Sequence, residues 1–280
     1  MMNESIIHSD YGDLNHHLAK WSEQYQNNYP FPNIYVDDFF DPRYLKKVLE
    51  EFPDIDALQQ KVQYNNPNEL KQGTKGESQF GPYTKNLVHY LNSEPFLVFL
   101  QSMTGIKETL IPDPYFEGGG FHEIKPGGFL KLHVDFHKHR RMQLCRRLNL
   151  LIYLNEDWEE DFGGHFELWE KDMSKCALRI LPKFNRIALF STNGDSWHGH
   201  PNPLKCPEGR SRKSLALYYY TSSRPENELS SAQANKITTT FVARKGEDSK
   251  KMRMYNKLVE SVTEILPDKL LYFIKGRRNK

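Results

Sequence analysis

Along the 280 residues the spacing of apolar positions changes twice and marks out three zones. In residues 1–110 apolar positions recur every three or four residues. Leu45, Val48, Leu49 and Phe52 share one face of a predicted helix. Asp41-Pro42 would open it, with aspartate as N-cap and proline at the first helical position, and Pro53 would stop it. Phe96, Phe99, Leu100 and Met103 mark a second helix from about Glu94 to Met103, closed by Gly105. Between the two, Gln59 to Thr84 is polar and rich in Gly, Asn and Lys, too long for a routine connection, and reads as a loop or a candidate lid at 59–84.

Residues 111–222 break into short β-type runs separated by turn residues. Strands are expected at Tyr115 to Ile124, Phe129 to Val134, Leu148 to Leu154, His165 to Trp169, Arg186 to Ser191 and Ser214 to Thr221. The run Leu148-Asn149-Leu150-Leu151-Ile152-Tyr153-Leu154 is apolar on both faces, as a strand covered on both sides must be, which fits a sandwich or jelly roll backed by helices. Residues 223–280 start polar, form a helix near Lys250 to Leu266 and end on the apolar segment Leu270 to Ile274. Without repeats or a linker, 1–280 reads as one domain of the α+β class: a mainly helical support over 1–110, a β-core over 111–222 and a helical extension over 223–280.

Composition narrows the setting. Aromatics reach 13%, with 15 Tyr and 17 Phe, which suits β-structure. A net charge of +2 gives no global field toward nucleic acid or membrane, and no basic, aromatic-lined groove stands out, so neither is expected as a partner. The basic cluster from Lys275 to Lys280 reads as a solvated tail. Cys145, Cys176 and Cys206 form neither a disulfide framework nor a CxxC pair, and the N-terminus shows no apolar secretory core, so a reducing, cytoplasmic setting is expected. The longest purely apolar run is about five residues, Phe96 to Leu100, far short of a bilayer span.

The chemistry centres on His133-Val134-Asp135. Residues two apart on a strand point to one face, so an imidazole and a carboxylate there can converge on one ion. Downstream, Trp197-His198-Gly199-His200 follows an apolar strand. A third ligand from it would complete a two-histidine, one-carboxylate triad that leaves three adjacent positions open on Fe(II), with His198 and His200 both eligible on one face. Arg212 and Ser214 also share a face. A guanidinium beside a hydroxyl is a receptor for a carboxylate, because the fork engages both oxygens and stays charged. His137 and His139 read as loop residues at the rim of the site.

The ordered series of HxD, then His, then RxS resembles the 2-oxoglutarate/Fe(II)-dependent dioxygenases, and within them the prolyl-hydroxylase-like branch. The resemblance covers about residues 116–222. It runs through Lys125-Pro126-Gly127-Gly128, Tyr153-Leu154-Asn155, Trp158, Gly163-Gly164 and Leu181-Pro182-Lys183-Phe184-Asn185-Arg186. It implies a double-stranded β-helix (jelly roll, cupin-like) core buttressed by N-terminal and C-terminal helices, working with Fe(II), 2-oxoglutarate and O2. His133, Asp135 and His198 are then the metal ligands, His198 rather than His200 by its place in the motif. Arg212, Ser214 and Tyr153 would hold the distal carboxylate of 2-oxoglutarate, Asn149 and Phe166 would line that pocket, and Arg146 would stand near the substrate. Ile124 departs from the pattern, since many relatives carry tyrosine there. Ser214 follows the broader superfamily. Relatives that halogenate lack the carboxylate kept here at Asp135.

The resemblance implies hydroxylation of a C–H bond of a small-molecule or peptidyl substrate, coupled to decarboxylation of 2-oxoglutarate to succinate. Desaturation, cyclisation or epimerisation of a small metabolite would use the same cofactors. A non-catalytic, cupin-like metal-binding protein would not need the Arg212/Ser214 pair.

Overall fold

A computed structural model describes residues 5–265, in which helices pack on one side of a nearly closed antiparallel β-barrel. In the first zone α1 (Leu18–Asn27) leads to strand β1 (Asn33–Val36) and α2 (Pro42–Glu50). The α2 cap forms as expected: the Asp41 carboxylate accepts from the amides of Arg43 and Tyr44, and Tyr44, Leu45 and Val48 are buried. Helices α3 (Pro82–Leu91) and α4 (Glu94–Thr104) follow, α4 ending on Gly105 with a left-handed φ of 76°.

The segment expected as a loop or lid within 59–84 is instead a β-hairpin. Strands β2 (Lys61–Asn66) and β3 (Glu69–Thr74) pair across a tight turn. β3 continues into the barrel, pairing Gln72 and Gly73 with one strand and Glu69 and Leu70 with another. Gly73 permits this approach, since a Cβ there would lie 2.8 Å from the Phe121 carbonyl oxygen. Residues 1–110 therefore support the core with strands as well as helices.

The core itself contains β4 (Ile111–Pro112), β5 (Gly120–Ile124), β6 (Phe129–Val134), β7 (Cys145–Tyr153), β8 (Phe166–Trp169), β9 (Cys176–Ile180), β10 (Ile187–Ser191), β11 (His198–His200) and β12 (Arg212–Thr221). One sheet runs β1-β10-β7-β12-β5-β3 and the other β6-β11-β8-β9, with β3 hydrogen-bonded to both β5 and β6. This is the jelly roll expected from the sequence. The strand expected from Tyr115 starts only at Gly120. Before it, the Asp113 carboxylate accepts from the amides of Tyr115 and Glu117 and folds the backbone into a turn. Strand β9 was not foreseen.

Leu148, Leu150 and Ile152 of β7, with Leu215, Leu217 and Tyr219 of β12, point outward into a core shared with Leu45, Val48, Leu87, Leu100 and Met103 of the helices. Each such side chain, fully buried, contributes roughly 1.5–3 kcal/mol. The alternate positions Asn149, Leu151 and Tyr153 face the barrel interior, which is why the run is apolar on both sides. After β12 come α5 (Ser231–Ala234), β13 (Thr240–Phe241), which pairs with β6, and α6 (Lys250–Ile265) close to its expected span. The segment Leu270 to Ile274 and the cluster Lys275 to Lys280 lie outside the described residues.

Candidate metal centre and carboxylate pocket

Strands β6 and β11 pair with His133 directly opposite His198, so two imidazoles meet inside the barrel, ring centroids 4.3 Å apart. Asp135 stands just past the end of β6. One carboxylate oxygen lies 3.7 Å from His133 Nε2 and the other 3.3 Å from His198 Nε2. One ligand atom from each of the three residues lies within 4.8 Å of the others, and all three are buried, so the group can hold a metal ion.

The backbone fixes which ring nitrogens are available. His133 Nδ1 sits 2.9 Å from the Lys131 carbonyl oxygen, and His198 Nδ1 sits 2.8 Å from that of Ser196. A carbonyl only accepts, so each Nδ1 carries a hydrogen and Nε2 is the ring nitrogen turned toward Asp135. Burial pushes His133 down to about 3, helped by the neighbouring His198. Burial alone would raise Asp135, but Arg146 and the two histidines hold its carboxyl well below the usual range. The His133 ring is thus held neutral and the Asp135 carboxyl ionised, the forms that bind a metal.

Arg146 and Asn149 brace the carboxylate. Asn149 Nδ2 donates to Asp135 Oδ2 at 2.7 Å, Arg146 Nε donates to Asn149 Oδ1 at 2.8 Å, and Arg146 Nη2 lies 3.2 Å from Asp135 Oδ2. The guanidinium is 1% exposed and stacks on the Tyr218 ring at 3.5 Å. Asn149 was expected to line the carboxylate pocket, but its amide is committed to Asp135 and Arg146. The neighbouring Arg147 turns the other way, to Glu108 and Glu228.

Further along the same strand pair, Tyr153 of β7 faces Ser214 of β12, with Arg212 two residues beyond. At about 3.3 Å per residue, Tyr153 is roughly 13 Å along the strand from Asn149. Arg212 is buried. Its Nε donates to the Gly164 carbonyl at 2.8 Å, and its guanidinium lies 5.0 Å from the Tyr153 ring. Among the described residues no carboxylate pairs with it, and burial pulls its pKa down. The Tyr153 hydroxyl is buried without a hydrogen bond of good geometry, and burial pushes it up to about 12. Gly164 has a φ of 70°, and a Cβ there would press to 3.0 Å of Arg212 Cδ, so a larger residue would displace the guanidinium. Phe166 packs edge-on against the His198 ring at 5.7 Å, between the triad and this pocket.

His137 and His139 do lie in the loop between β6 and β7, but both are buried rather than at a rim. His139 Nδ1 accepts from the amides of Arg141 and Met142, and its ring meets Tyr220 edge-on at 5.2 Å, so it holds the loop together. His200 is also buried and stands apart from the metal-binding group. Sequence reasoning missed the hairpin's contribution. Lys71 lies 3.5 Å from Glu69 and over the Tyr64 ring at 4.8 Å, and its positive charge reaches His133, His122 and His200. Nothing local in residues 61–74 signals this, because only the pairing of β3 with β5 and β6 brings the hairpin to the triad.

Residues 119–220 match the family model of the 2OG-Fe(II) oxygenase superfamily. The matched stretch runs from β5 to the end of β12 and takes in His133, Asp135, His198 and Arg212. No curated protein matches the chain by sequence. Among solved structures, a prolyl-4-hydroxylase from Pseudomonas putida aligns at 16% identity with a TM-score of 0.54, covering 74% of this chain and 99% of that one. A prolyl hydroxylase from Trichoplax adhaerens, in complex with a hypoxia inducible factor oxygen degradation domain peptide fragment, aligns at 16% identity and TM-score 0.54, covering 74% and 92%. A non-heme alpha ketoglutarate dependent epimerase from nogalamycin biosynthesis aligns at 10% and 0.53, covering 73% and 83%. At these identities the likeness is one of fold.

Proposed function

We propose that this protein is an Fe(II)- and 2-oxoglutarate-dependent oxygenase, a prolyl-hydroxylase-like hydroxylase acting in the cytoplasm on a C–H bond of a peptidyl or small-molecule substrate. In this reading His133, Asp135 and His198 bind Fe(II), and Arg212, Ser214 and Tyr153 take the distal carboxylate of 2-oxoglutarate. Phe166 walls the space between them, and Asn149 acts through Asp135. When bound, the metal and co-substrate supply the oxidation, with decarboxylation to succinate. The chain's own residues present two Nε2 lone pairs and one carboxylate oxygen to the metal, and anchor the far end of a dicarboxylate. They also keep the space between dry. Arg146 stands on the side of the triad away from Arg212, where a substrate would approach. The lid expected at 59–84 survives as the outer hairpin strand β2, which pairs only with β3 and would narrow that approach.

The observation that carries the reading is the buried Arg212 guanidinium, without a carboxylate partner, in the same barrel as the triad. A bare metal-binding protein has no use for it. The test is anaerobic addition of 2-oxoglutarate to the Fe(II)-loaded protein. A weak visible charge-transfer band is expected, lost in His133→Ala and Asp135→Ala. Stoichiometric iron without that band would overturn the co-substrate site. Succinate release over candidate peptides and metabolites, with mass analysis of the product, then separates a gain of one oxygen from the unchanged mass of an epimerised product.

A further inference from the structure

Both ring nitrogens of His200 are buried, and neither has a hydrogen-bond partner. Leaving a polar group buried and unpaired is costly, so such a pair of orphan atoms marks a place where something else is meant to bind. His198 and His200 are split by a register shift against β6, where His198 faces His133 but His200 faces Leu130. His198 therefore stays with the triad while His200 is carried one step away from it. His200 lines one end of a 360 Å³ cavity with Gly164, whose carbonyl receives Arg212 Nε, while Glu160, Glu167 and Arg179 line the rest. Three incompletely paired polar groups stand on β12, β7 and β11: the Arg212 guanidinium, the Tyr153 hydroxyl and the His200 ring. A carboxylate offers about four lone-pair positions, more than Arg212 and one hydroxyl fill. Ile124, opposite Arg212 in the β5/β12 pairing, brings no donor.

We propose that His200 is a co-substrate-binding residue that donates a ring N–H to the distal carboxylate of 2-oxoglutarate beside Arg212 and Tyr153. The inference rests on the co-substrate pocket described above and adds to it a residue outside the RxS pattern.

The test compares two ligands on the full-length, Fe(II)-loaded protein under anaerobic conditions, read by the visible band. One is 2-oxoglutarate. The other is 2-oxopentanoate, which keeps the chelating end and replaces the distal carboxylate with a methyl group. His200→Leu should weaken 2-oxoglutarate roughly tenfold or more, as expected for loss of a hydrogen bond to a charged group, and change 2-oxopentanoate less than about twofold. His200→Gln, which keeps a side-chain N–H, should recover part of the loss and serves as the second variant if the leucine protein folds poorly. Equal loss for both ligands, or unchanged 2-oxoglutarate binding, would overturn the proposal. A drop in bound iron in His200→Leu would make His200 a metal ligand and overturn it as well. If the wild type itself fails to prefer 2-oxoglutarate over 2-oxopentanoate, the pocket reading fails first and this inference with it.

Discussion

Two buried arginines face the inside of the same barrel from the same pair of strands, and they are in opposite situations. Arg146, at one end, has its partner in place: its Nε donates to Asn149, its Nη2 pairs with the Asp135 carboxylate, and Tyr218 and Phe136 cover its faces. Arg212, at the other end, has a carbonyl on Nε and an aromatic ring nearby but no counter-charge among the described residues. A buried ion with its partner in place belongs to the architecture. A buried ion without one is a binding site kept open at some cost to the empty fold. In the proposed reading the contrast separates a residue that braces a metal ligand from one that takes a dicarboxylate, although both are inward-facing arginines of a β-core.

The contrast can be broken most directly at Arg146. Arg146→Met leaves the Asp135 carboxylate without its cation, and the metal-free protein should lose about 3–5 kcal/mol of stability in urea unfolding. Arg212→Met should cost the metal-free protein no more than about 1 kcal/mol, because it breaks one hydrogen bond, to the Gly164 carbonyl, and no ion pair. The same change should weaken 2-oxoglutarate by roughly 100-fold, with iron stoichiometry unchanged. If the two variants are equally unstable, the distinction between them is lost. The smallest effect sharpens it: Lys71→Ala removes a positive charge that reaches the triad, and should tighten Fe(II) by no more than about threefold in competition with a chelator. A larger gain would mean that the hairpin lysine opposes the metal directly.

The parts of this site that were legible in the sequence are those set by strand geometry alone. His133 and Asp135, Arg212 and Ser214, and Asn149 and Tyr153 each sit an even number of residues apart on one chain, and a period of two puts them on one face before any partner strand is known. The hairpin at 61–74 was not legible, because its alternation is Glu69, Lys71 and Gly73 on the inner side, polar where a strand packed on an apolar core would be hydrophobic. Its inner side faces the polar interior rather than the helices. The buried His139 was missed for a related reason, since its polar partners are two loop amides at Nδ1 and the Asp113 carboxylate 3.3 Å from Nε2, which no periodicity marks. The three-residue β11 is too short to leave a periodic trace, and only its histidines drew attention to it.

Strand β3 joins the two sheets through two residue pairs on each side, and Gly73 lets it lie against β5. The hairpin it belongs to contributes none of the residues assigned to iron or to 2-oxoglutarate. It enters after Leu58 and is finished before Pro82, leaving the helices on either side anchored in their own core. The oxidation chemistry and the wall beside it are therefore encoded in separate stretches of the chain. In the proposed reading, substitutions in the outer strand, 61–66, remodel the entrance and change which molecules are admitted while the oxidising centre passes unaltered from one ancestor to the next.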